Sequence, residues 1–128
     1  MRLSKQSWNE LIIELAAFSL LVACVVSLWR NNLLLLLVML VECSVVLRLW
    51  HDKLDLSFFL IIAVLGSLAE AVFVRFGVWR YTNPTFLGVP AWFPLAFGTT
   101  GLIGGRLART LAAIWEALSP SAGSRPSF

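Results

Sequence analysis

Four long apolar runs dominate the chain. They cover residues 8–29, 33–50, 56–78 and 89–107, and only isolated ionisable residues interrupt them. Each is near the ~20 residues that carry a helix across the hydrocarbon core of a bilayer. Backbone polar groups facing lipid must be satisfied within the segment, so the runs are predicted as helices. The links are short. Arg30-Asn31-Asn32 joins the first two runs, and 51–55 joins the second to the third. Residues 79–88 join the third to the fourth and contain the turn formers Asn83-Pro84 and Gly88. Pro90 and Pro94 fall in the first turns of the fourth run, where a first-turn proline is tolerated and a second tightens the helix end. Short links between all neighbours predict an all-α, up-down-up-down integral membrane four-helix bundle.

Beyond the fourth run the pattern changes. In 106–118, Leu107, Leu111, Ile114, Trp115 and Leu118 recur at helical spacing, with Arg106, Arg109 and Glu116 between them. This is expected to be the end of the fourth helix lying along the membrane interface. Residues 119–128 are rich in Ser, Pro and Gly and are expected to form a flexible C-terminal tail after a single transmembrane domain, 1–118.

Composition narrows the class. Hydrophobic residues make up 59 % and charged residues 13 %, with a mean hydropathy of +0.86. A soluble domain carries about 25 % charged residues. That excludes a soluble enzyme, a disordered tail, a collagen and a secreted disulfide scaffold. Net charge is +3, but the basic residues sit singly at the ends of apolar runs, so no nucleic-acid partner is expected. Arg2, Lys5, Arg48, Lys53, Arg106, Arg109 and Arg125 fall on one side, seven in all, against Arg30, Arg75 and Arg80 on the other. The bias puts both termini in the cytoplasm. Trp8, Trp29, Trp50, Trp79 and Trp92 mark span ends, as an aromatic belt does. Glu10 and Glu14 argue against a cleaved signal peptide, whose core is apolar.

Little in the sequence suggests metal or cofactor chemistry, and none is expected. Cys24 and Cys43 lie inside apolar runs and read as small core residues, with a transmembrane disulfide as the alternative. His51 is the single histidine, and no metal-binding spacing accompanies it. The buried acids carry more interest, because ionisable groups inside spans are costly and often functional. Glu14 and Glu42 each lie roughly 10 Å from the cytoplasmic face on neighbouring antiparallel helices, close enough in depth to meet. Glu70 lies toward the opposite face, before Arg75. These residues either line a polar pocket inside the bundle or bond neighbouring helices and snorkel toward water. In the fourth run Ala96, Thr100 and Gly104 form one row of small residues and Gly101 and Gly105 another, the usual device for close helix packing in membranes.

Residues 77–94 read G-V-W-R-Y-T-N-P-T-F-L-G-V-P-A-W-F-P. The segment resembles the junction between the last two spans of the insulin-induced gene proteins, the Insig family. The matching positions are Gly77, Val78, Tyr81, Thr82, Pro84, Phe86, Leu87, Val89, Trp92 and Pro94. Gly101, Gly104, Gly105, Arg106, Leu107 and Ala108 are similar to the glycine-rich helix that follows in that family, and Asp52-Lys53 to an acidic-basic pair in its preceding cytosolic loop. The resemblance implies a non-enzymatic protein that binds a sterol or other lipid within the bundle and holds membrane protein partners. The family's first pair of spans would be absent here. The deep acids Glu42 and Glu70, for which the family offers no obvious counterpart, together with Tyr81 and Trp92 are the ligand-binding candidates, and a homo-oligomer is one form the partner could take. The segment 70–97 also resembles bacterial membrane carotenoid hydratases, with membrane terpenoid cyclases as a further analogy. That resemblance implies an isoprenoid substrate and a buried general acid, Glu70 or Glu42. A structural subunit of a membrane complex, docking through the small-residue rows, is the third expectation.

Overall fold

A computed structural model describes residues 2–119, with side chains from Lys5 onward. It contains α1 (Arg2–Leu28), α2 (Asn32–Leu49), α3 (Lys53–Arg75) and α4 (Phe93–Leu118). The expected tail at 119–128 lies, apart from Ser119, outside the described residues. Among those residues there is no strand, only one isolated bridge between Phe86 and Val89. The protein is an all-α four-helix bundle.

The helix starts follow from local chemistry. Asn31 caps α2, its side chain accepting from the Leu34 amide at 3.1 Å. Asp52 and Asp55 form a reciprocal capping box at the start of α3, each carboxylate accepting from the other's backbone N–H. α4 begins at Phe93, with Pro94 in its first turn. It starts after residue 89 because Val89 is used in the bridge to Phe86. It then runs unbroken to Leu118, through the segment where an interfacial helix was expected.

α4 is the central helix. It touches α1, α2 and α3, α1 also touches α2, and α3 packs on α4 alone. Among the described residues α2 and α3 do not pack together, although a short link joins them. Along α4 from Gly98 to Gly105, the α3 neighbours run back from Ala63 to Phe58, so the pair is antiparallel. Gly98, Gly101 and Gly105 make that approach possible, because a Cβ on any of them would run into Phe59, Ile62 or Phe58. Gly104 faces open space, Thr100 is half-buried, and Ala96 packs into the core on another face of the helix.

Two apolar clusters fill the α1–α2–α4 wedge. Leu21, Leu35, Met39, Trp92, Phe93 and Ala96 form one, and Val46, Leu102 and Ile103 the other. On α2 the buried positions are Leu35, Met39, Glu42, Cys43 and Val46, a helical stripe interrupted by one acid. Both cysteines are free.

α1, α2 and α3 are long and apolar enough to cross a membrane. α4 has the length but not the apolarity, and its position explains why. A helix wrapped by protein can carry the glycines and threonines that close packing favours, and Gly98, Thr99, Gly105 and Thr110 are all buried on it. α3 is the opposite case. Of its residues only Asp55 is buried, and Leu60, Ile61, Val64, Leu65 and Leu68 point outward.

Candidate functional site

The bundle has two polar ends and a lateral recess. At one end the N-terminus of α3 meets the middle of α4. Asp55 is fully buried and accepts from Arg106 Nη2 at 2.8 Å and Arg109 Nη2 at 2.5 Å. Asp52 Oδ2 lies 3.4 Å from each arginine. The Arg106 guanidinium also lies over the Trp50 ring, 5.4 Å from its centroid. Two carboxylates and two guanidiniums thus close a neutral clamp between α3 and α4. The Asp52 carboxyl is held below the ordinary aspartate range, mainly by the hydrogen bond with the Asp55 backbone and then by Arg109 and Arg106. The clamp was half legible in sequence: Asp52 and Asp55 have capping-box spacing, and Arg106 and Arg109 share a helix face. Nothing local joins the two pairs.

Neighbouring this end, Glu14 is buried on α1 and accepts from the Thr110 hydroxyl of α4 at 2.9 Å. Its other oxygen has no partner among the described residues. Glu42, at 7 % exposure, has no partner for either oxygen. It sits on the α2 stripe between Met39 of one apolar cluster and Val46 of the other. Glu14 therefore bonds α4, with no hydrogen bond to Glu42.

The opposite end is built from neutral donors and amides around one carboxyl, Glu70. Glu70, half-buried on α3, accepts from Trp79 Nε1 at 2.8 Å and from the Tyr81 hydroxyl at 3.0 Å, both on the same oxygen. Both donors come from the connection 76–92, which is thereby folded back over the end of α3. Burial, followed by the Glu70 hydrogen bond, pushes the Tyr81 phenol up to about 12. Its ring packs edge-on against Phe93, with centroids 5.9 Å apart. Trp92 is buried and donates to Asn32 Oδ1 at 3.2 Å. Asn32 in turn donates to the Asn83 carbonyl at 2.5 Å and to the Thr85 hydroxyl at 3.1 Å. Asn83 reaches the Trp29 carbonyl at 3.1 Å. Asn32, Asn83 and Thr85 thus tie the connection to the α1–α2 turn. Sequence reasoning treated Asn32 and Asn83 as turn residues, and their partners more than fifty positions away carry no local signal.

Beside this network the connection makes a tight turn, 86–89, closed by two backbone hydrogen bonds between Phe86 and Val89. Both central residues have positive φ, 53° at Leu87 and 79° at Gly88. Gly88 sits on Val74, where a side chain would collide. Leu87 in this backbone costs roughly 1–2 kcal/mol. Asn or Gly is the usual occupant, yet Leu87 and Phe86 both project outward. Between this turn and α3 lies an open trough of about 640 Å³, lined by Leu68, Ala71, Val72, Arg75, Phe76 and Leu87. A second recess of about 350 Å³ shares Leu68, Ala71 and Leu87 and continues past Ser67 to Pro94. The Ser67 hydroxyl there is buried and without a partner among the described residues.

The structure does not bring the four ligand-binding candidates together. Glu42 lies within the α1–α2–α4 wedge, and Glu70 and Tyr81 bond each other at the end of α3. Trp92 is packed in the core but shares with Tyr81 the lining of a small recess of about 260 Å³ beside the α1–α2 turn, and none of the four lines the trough. No metal-binding group of His, Cys, Asp and Glu occurs among the described residues.

Fold and composition together define an all-α membrane protein. Over 51 residues the chain is 41 % identical to the insulin-induced gene 2 protein of Gallus gallus. That match takes in 40 % of this chain and spans 23 % of the length of the relative. No protein-family model matches the chain, and no solved structure matches it.

Proposed function

We propose that the protein binds a lipid or sterol-like ligand against α3 and acts through membrane protein partners. The trough under the 86–89 turn carries this proposal. It is a large apolar recess walled by α3 and the connection, and Leu87, held at positive φ, forms part of its lining. Strain of this kind is retained where it serves a site. The partial similarity to an insulin-induced gene protein supports the same class of function. In this reading α4 is the fourth span and both termini are cytoplasmic. The clamp end then faces the cytoplasm and the trough opens toward the other leaflet.

The enzymatic alternative needs a general acid beside its substrate. Glu70 already accepts two hydrogen bonds, Glu42 lies between packed clusters, and neither lines the trough. A ligand-binding protein without turnover is the simpler account.

Leu68 walls both recesses, so Leu68→Trp should fill them. Mass spectrometry of lipids retained after purification in mild detergent should find an amphiphile with the wild-type protein that the variant loses. An unchanged lipid profile in a folded Leu68→Trp protein would refute binding at this place.

A further inference from the structure

We infer that the trough takes an acyl chain carrying an oxyanion headgroup, with the Arg75 guanidinium as its counter-ion. The inference rests on the proposed lipid-binding role and names the class of ligand.

Three observations converge. The wall of the trough is apolar apart from Arg75, in the last turn of α3. Leu68 to Arg75 spans about 10 Å of helix, enough to lay a stretch of acyl chain along α3 as far as the turn that carries Arg75. Arg75 has no acidic partner among the described residues. Arg106 and Arg109 are engaged by Asp52 and Asp55, and Arg30 lies over Trp29 at 5.2 Å. The only acid on the second half of α3 is Glu70, five residues back, and it is occupied by Trp79 and Tyr81. An apolar trough bordered by an uncompensated, fork-shaped donor complements a carboxylate or phosphate on an acyl chain. A neutral sterol-like molecule would leave that charge unused.

The test compares two probes of one chain length, cis-parinaric acid and its alcohol, titrated into the full-length protein in neutral detergent at pH 8. The wild type should bind the acid about fivefold more tightly, the size expected of one solvent-accessible ion pair. Arg75→Gln should bind the two equally and keep the affinity for the alcohol, while Arg75→Lys should retain most of the preference. Lysophosphatidate should displace the acid more effectively than monoacylglycerol if the site accepts phosphate as well as carboxylate. Leu68→Trp should bind neither probe. Equal wild-type affinities with loss in Leu68→Trp would overturn the anionic headgroup and leave the lipid site standing. A preference that survives Arg75→Gln would also overturn it. Binding that Leu68→Trp does not alter would overturn both.

Discussion

The two ends of the bundle are tied by opposite means. At the clamp end four formal charges meet: Asp52 and Asp55 on α3, and Arg106 and Arg109 on α4. At the other end the ties are indole, phenol, hydroxyl and amide groups, with the Glu70 carboxylate as the single charged acceptor. The clamp fixes only one pair of helices, which otherwise meet through glycine contacts. The neutral network fixes a connection of seventeen residues, 76–92, against both α3 and the α1–α2 turn. A charge pair is strong but serves one geometry, whereas many modest hydrogen bonds can shape a loop. The difference puts a two-helix clamp at the charged end and a hydrogen-bonded loop wall, with its trough, at the other.

The comparison can be broken most forcefully at Trp92. Its indole fills the cluster of Leu21, Leu35, Met39 and Phe93 and also anchors Asn32. Trp92→Ala should cost about 3–4 kcal/mol, as truncating buried aromatics does. Thermal unfolding in detergent measures it, and wild-type stability would mean the neutral end does not organise the core. Asp55→Ala tests the charged end. Losing the shared acceptor leaves the two guanidiniums with only their longer contacts to Asp52, but both keep access to water, so about 2–3 kcal/mol is expected rather than the full cost of a buried pair. Chemical denaturation should show the loss, and Leu68-dependent lipid retention should survive it. A variant that loses its lipid as well would show that the two ends are not independent.

The smallest effect is expected at Tyr81, the only tyrosine in the chain. Its phenol ionises near 12 in the folded protein against about 10 when unfolded. The raised value means its contribution to stability is complete below pH 10 and is lost as pH rises toward 12. Ultraviolet titration reads this residue alone. Glu70→Gln removes the charge and should move the midpoint part of the way back toward 10, leaving the share due to burial. No movement would show that the bond to Glu70 does not hold the connection down.

Much of the architecture was written in the chain itself. Runs of about twenty apolar residues force helices in lipid, and short polar links force neighbours to reverse. Asn31, Asp52 and Pro94 mark helix starts by chemistry local to a few residues. The glycines of α4 announced a close approach, though not to which helix.

Tertiary structure alone decided the rest. In a membrane, lipid and protein interior are equally apolar, so hydropathy cannot tell a buried face from a lipid-facing one. α3 is strongly apolar yet buries almost nothing, while the less apolar α4 is the core. For the same reason the sequence could list Glu14, Glu42 and Glu70 by depth without saying that Thr110, no one, and Trp79 with Tyr81 would be their partners. The clamp, the Asn32 network and the trough all join residues distant in the chain. Such contacts depend on how helices rotate about their axes, and a pattern of apolar positions in an apolar solvent leaves that rotation undetermined.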